Sequence, residues 1–172
     1  MKEKDFSGIF LADFRKHLRL HQKELAEKLN IAQTTIARYE TDRVHPTAGV
    51  IKKYVEVFNA NPLFLLTGEG RFTLSEEKAK CKQTSGDSAI CNLPLSKKIQ
   101  ILRTVLGLTQ GEFAEAIETT QASISRYEKD DRIPDAIFLS NVVEKFDVNP
   151  DWLLTTSTIL MFRNTKKRKG KI

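Results

Sequence analysis

His21-Gln-Lys-Glu-Leu-Ala-Glu-Lys-Leu-Asn-Ile-Ala-Gln-Thr-Thr-Ile-Ala-Arg-Tyr-Glu40 returns as Thr109-Gln-Gly-Glu-Phe-Ala-Glu-Ala-Ile-Glu-Thr-Thr-Gln-Ala-Ser-Ile-Ser-Arg-Tyr-Glu128. Gln22 and Gln110, Tyr39 and Tyr127, and Pro62 and Pro150 each stand 88 positions apart, and no gap is needed between Leu18/Leu106 and Thr67/Thr155. A repeat this regular marks one structural unit present twice, each copy of roughly 60–70 residues and near the lower size limit for burying a core. The expected organisation is a first domain over 1–72, a linker over 73–92, a second domain over 93–157, and an apolar segment with a basic tail over 158–172.

Both copies show the spacing of five short helices. In the first, Ile9, Phe10, Phe14 and Leu18 recur at helical intervals and predict a helix over 9–19. Leu25, Ala26 and Leu29 predict a second over 22–29, and a third over 33–40 is anchored by Ile36. A fourth over 47–58 follows Pro46, and a short fifth starts at Asn61-Pro62, with Asn as cap and Pro at the first helical position. Gly68 suits a left-handed end. The second copy repeats the pattern over 95–106, 110–117, 121–128, 135–146 and 150–154. There Thr109 and Glu112 form a capping-box pattern that His21 and Glu24 only approximate.

Two short helices joined by about three residues, the second polar outside, form a helix-turn-helix. Ala26 and Ala114 are small where two helices must cross, and Asn30 sits in a turn that calls for a left-handed conformation. Glu118 holds the same place in the second copy, at a cost of about 1 kcal/mol.

At these residues the chain strongly resembles the lambda-repressor/Cro-like helix-turn-helix family, over nearly all of both repeats. The match takes in Gln heading the second and third helices, the Arg-Tyr-Glu ending, and the closing Asn61-Pro62-Leu63-Phe64-Leu65-Leu66-Thr67 and Asn149-Pro150-Asp151-Trp152-Leu153-Leu154-Thr155. The resemblance implies an all-α fold of two tandem five-helix domains and a sequence-specific regulator that binds double-stranded DNA. It implies a repressor of prokaryotic or phage type. The third helix would enter the major groove by its N-terminal end. Gln33, Thr34, Thr35 and Arg38 would face base edges, and Gln22 and Arg43 would meet phosphate. In the second copy the corresponding residues are Gln110, Gln121, Ser123 and Arg126, with Ala122 among the readers and Arg132 near the Arg43 position. Arg15 with Glu40, and Arg103 with Glu128, resemble the family's internal ion pair and are expected to be structural. Tyr39, Tyr127, Phe64 and Trp152 are expected in the core.

The net charge of +6 is unevenly distributed. Residues 1–72 carry net +3, 73–92 net 0, 93–157 net −3, and 158–172 net +6. The second copy replaces Lys23 with Gly111, Lys28 with Ala116, Asn30 with Glu118 and Arg43 with Asp131. Because phosphate contacts provide much of the affinity of such modules, the first copy is expected to bind DNA more strongly. The second would bind weakly or serve as a dimerisation or partner-binding surface. The two readers could belong to one chain as a pseudo-dimer or to a homodimer with four reader units, and a homodimer is expected. Ile159–Phe162 would fold back on the second copy or pair with another chain, self-association being favoured. Arg163 to Lys171 form a basic arm.

No enzyme motif occurs, and no cofactor, metal or small-molecule effector is expected. His17 and His21 straddle two helices without further ligands, and Cys81 and Cys91 lack a second ligand pair. No apolar run reaches the roughly 20 residues that cross a bilayer, and no signal-type stretch follows Met1, so a cytoplasmic protein with no membrane partner is expected. An alternative of another class is a protein-interaction module, antitoxin-like or an inhibitory phage protein, with secondary DNA binding.

Overall fold

A computed structural model describes residues 6–74, 93–155 and 161–163. The described residues form ten α-helices in two similar halves. The first half holds α1 (Ile9–His17), α2 (Gln22–Leu29), α3 (Gln33–Glu40), α4 (Ala48–Phe58) and α5 (Pro62–Thr67). The second holds α6 (Leu95–Val105), α7 (Gln110–Ala116), α8 (Gln121–Glu128), α9 (Ala136–Phe146) and α10 (Pro150–Leu154). The all-α, two-unit fold read from the repeat is the fold observed.

Local chemistry sets the helix ends. Asn61 and Asn149 accept the backbone N–H groups of Leu63 and Asp151, ahead of Pro at the first helical position. Glu24 accepts the His21 N–H at 2.6 Å. Glu112 does the same for Thr109 at 2.7 Å, and the Thr109 hydroxyl returns the bond from the Glu112 N–H. Left-handed residues recur at matched positions: Arg19 and Gly107, Asn30 and Glu118, Asp42 and Asp130, Asn59 and Asp147.

Inside each unit the apolar residues of the second and third helices are buried, with their repeat counterparts. Leu25, Ala26, Leu29, Ile36 and Tyr39 pack in the first, and Phe113, Ala114, Ile117, Ile124 and Tyr127 in the second. Phe64 and Trp152 also lie in the core. An extended segment closes each unit through a single antiparallel bridge, Ala60 with Thr73 and Val148 with Phe162. Met161 and Phe162 therefore fold back on the second unit instead of presenting a free apolar end. The self-association favoured for this segment is not needed to cover them, because backbone pairing (Asn149 N–H to Met161 carbonyl, 2.7 Å) and core packing already do so. Ile159 and Leu160 lie outside the described residues, as do Cys81 and Cys91.

The two units share one buried core. Thr47 pairs with Asp135 in an antiparallel bridge. The Ala48 N–H donates to the Pro134 carbonyl and the Ala136 N–H to the Pro46 carbonyl, both at 2.8 Å. Helix α5 packs on α9 and α10, and α4 packs on α9. The buried Ser140 hydroxyl donates to the Leu66 carbonyl at 3.1 Å, adding a bond between α9 and α5. On the mirrored side the repeat partner of Ser140 is Lys52, and a cleft of about 310 Å³ opens between α4 and α10. Its lining includes Pro94, Lys98 and Ile133, the repeat counterparts of Phe6, Phe10 and His45. In the first unit the buried Phe6 meets both Phe10 and His45 edge to face.

Candidate nucleic-acid interface

The turn between α2 and α3 is fixed from three directions. Asn30 takes φ 53°, the Ile31 N–H returns to the Ala26 carbonyl at 2.9 Å, and Lys53 of α4 donates to the Leu29 carbonyl at 3.1 Å. The second unit preserves each constraint with altered residues. Glu118 takes φ 56°, Thr119 N–H donates to Ala114 at 2.9 Å, and Asn141, the counterpart of Lys53, donates to the Ile117 carbonyl.

Helix α3 is bolted to α1 by charge. Arg15 forms a forked pair with Glu40, Nε to Oε1 at 2.6 Å and a second nitrogen to Oε2 at 3.0 Å. Arg103 and Glu128 repeat it at 2.6 and 3.2 Å. These pairs are structural, as expected. The hydrogen bond from Arg to Glu outweighs burial and raises the pKa of both Arg15 and Arg103. Burial pushes the Glu128 carboxyl up, but bonds from Arg103 and Gln110, with the Arg103 and Lys97 charges, hold it below the ordinary value.

Gln22 and Gln110 enter the same networks, each donating its amide N–H to Glu40 or Glu128 at 2.8 Å. Both side chains are half-buried. Each amide is thus oriented from within the fold and has a protein partner, which the sequence alone did not indicate. The signal was present in the shared spacing of Gln and Glu, 18 residues apart in both copies.

The outer surface of α3 carries Gln33, Thr34 and Arg38 exposed, with Thr35 half-buried and Arg43 exposed beyond the helix end. Among the described residues the Arg38 and Arg43 guanidinium groups have no hydrogen-bonding or ion-pair partner. The loop bearing Arg43 is held by its own N–H on the Arg38 carbonyl at 3.0 Å. Ala32 precedes α3 and offers no side-chain cap. The corresponding face of α8 has Gln121, Ala122 and Arg126 exposed. Ser123, expected among the readers, is half-buried, and its N–H and hydroxyl both meet the Thr120 hydroxyl, at 3.2 and 2.9 Å. Arg132 is exposed but lies over the Tyr127 ring, 6.0 Å from its centroid. Asp131 occupies the Arg43 position with the same backbone bond, to Arg126 at 2.9 Å. The scaffold is therefore matched while the charge is reversed.

One further expectation is modified. Arg163, placed at the start of the basic arm, pairs instead with Asp147 at 2.9 Å and donates to the Val143 carbonyl at 3.0 Å; residues 164–172 lie outside the described residues. His17 stacks on Phe72 at 4.3 Å, and the described residues contain no cluster of three or more metal-ligating groups. Sequence reasoning missed Asp42, whose carboxylate accepts from Gly8 N–H and from the Ser7 hydroxyl at 3.1 Å, tying α1 to the end of α3. No described helix is long and apolar enough to cross a membrane.

Comparison with known proteins agrees with this geometry. A helix-turn-helix family model matches residues 11–65 and again 99–153. The chain is similar to the HTH-type transcriptional regulator ImmR of Bacillus subtilis (strain 168), 30% identical over 111 residues, covering 63% of this chain and 79% of that protein. No solved structure matches. With two matched units and an α2–turn–α3 geometry in each, the chain belongs to the lambda-repressor-like helix-turn-helix family of DNA-binding regulators.

Proposed function

We propose that the protein is a sequence-specific repressor of prokaryotic or phage type that reads the major groove of double-stranded DNA chiefly with α3. The observation carrying this reading is the exposed Gln33, Thr34 and Arg38 surface, whose arginine has no partner among the described residues, while the nearby Arg15 is committed to Glu40. Arg presents two donors to guanine and Gln pairs donor with acceptor on adenine. Thr35 lies at the groove wall. The N-terminal ends of α2 and α7, at Gln22 and Gln110, face phosphate with backbone N–H groups, and Arg43 adds a phosphate contact. On α8, Gln121 and Arg126 read bases, Ser123 reinforces the helix cap, and Arg132 contributes charge near the backbone.

Selection of bound sites from random DNA by the full chain tests this. Arg38→Ala should lose about 10–100-fold in affinity and relax preference at one base position. Arg43→Ala should weaken all sequences about evenly and lower the salt slope by about 1. Unchanged selectivity in Arg38→Ala would sink the reading. A second reading, a protein-interaction module with secondary DNA binding, draws on the acidic face around Glu118 and Asp131. It requires that Arg38→Ala leave partner binding intact.

A further inference from the structure

The contact between the two units joins like to like at its centre, although α5 also packs on α9 while the mirrored approach of α10 to α4 is opened by the cleft. Thr47 and Asp135 are equivalent positions of the repeat, and they pair with each other. The flanking bonds, Ala48 to Pro134 and Ala136 to Pro46, exchange places when 88 is added or subtracted. Helix α5 meets its counterpart α10, and α4 meets its counterpart α9. A head-to-tail contact would join unlike surfaces, whereas self-complementary contacts define a two-fold relation. An antiparallel bridge with reciprocal bonds supplies a local two-fold axis through the paired residues. The first unit is thus turned onto the second about that axis, and α3 onto α8.

Two readers related by a two-fold axis need half-sites in inverted orientation. The contact is also occupied. The Ala48 and Ala136 N–H groups already have partners, and Pro46, Ala48, Pro134 and Ala136 are buried. A second copy of the chain cannot use this face without displacing the first pairing. The readers, however, are not identical. Gln33/Gln121 and Arg38/Arg126 agree, while Thr34 becomes Ala122 and Arg43 becomes Asp131. Thr34 carries a hydroxyl for hydrogen bonding, and Ala122 offers only a methyl, suited to apolar contact with thymine.

Resting on the DNA-binding reading above, we propose that one chain, as a monomer, occupies a single operator of two unequal half-sites in inverted orientation. The stronger half-site lies under α3 and the weaker under α8. The single-chain pseudo-dimer replaces the homodimer expected from the sequence, and the operator carries a built-in polarity.

The test uses the full chain and the duplex it enriches from random DNA. Native mass spectrometry should give one chain per duplex. Hydroxyl-radical footprinting should show two protected patches about one helical turn apart, with related but unequal sequences in inverted orientation. Arg38→Ala should remove protection from one patch with about 10-fold or greater loss of affinity, and Arg126→Ala should remove it from the other with a smaller loss. Both side chains are exposed, so neither change threatens folding. Two chains per duplex, directly repeated half-sites, or a footprint indifferent to Arg126→Ala would overturn the proposal. No enriched sequence at all would overturn the DNA-binding reading and this inference with it.

Discussion

Arg19 and Gly107 occupy one position of the repeat, and both are left-handed, at φ 56° and 71°. A side chain there costs about 1 kcal/mol that glycine avoids, and the exposed Arg19 side chain makes no compensating hydrogen bond or ion pair among the described residues. Arg19→Gly should raise the melting temperature by about 2–4 °C for a chain of this size; no rise in a calorimetric scan would refute the strain assignment. Glu128 offers a pH test. Its folded pKa is held below the ordinary value, so its contribution is present above the unfolded pKa and is lost as pH falls through the folded one. Glu128→Gln should destabilise by about 2 kcal/mol at pH 7. That gap should narrow as pH drops below about 4, whereas a constant gap in denaturant midpoints from pH 7 to 3 would contradict the assignment.

At the scale of elements, the helices were legible because short-range chemistry sets them: apolar period, Asn-Pro starts, and left-handed Asn and Gly ends. The proposed site was readable as far as its family-like residues, which stand exposed on α3. It was less legible where a hydroxyl had a local rival, as when Thr120 engages Ser123. The same contrast separates the two reader helices energetically. Helix α8 is capped by Thr120, while α3 begins after Ala32 with no side-chain cap. Thr120→Ala should cost about 1 kcal/mol, and Ala32→Thr should gain up to a similar amount; urea melts of the full chain measure both. Equal effects of zero would mean that α8 draws nothing from its cap. The contact between units had no sequence signature. Its bridge is made by backbone groups of Pro46, Ala48, Pro134 and Ala136, and almost any residue offers a carbonyl.

At the scale of the whole molecule, duplication within one chain has allowed the halves to diverge. The first unit fills its edge with Phe6 and Phe10, and the second leaves a cleft beside Pro94 and Lys98. Net charge diverges in the same way, +3 over 1–72 against −3 over 93–157. Between identical subunits a change appears on both sides of the contact, whereas within this chain it appears on one side only. The reciprocal bridge at Thr47 and Asp135 carries a genetic consequence. A regulator assembled from separate subunits is poisoned when defective copies enter mixed assemblies. On the single-chain reading the partner is fixed in cis, so co-expressed Arg38→Ala protein should leave operator occupancy by the wild-type chain nearly unchanged. Footprinting with wild-type and mutant at equal levels checks this, and a fall beyond the roughly one-tenth that competition by a 10-fold weaker binder allows would show that chains exchange halves. Defects in this regulator should therefore be recessive.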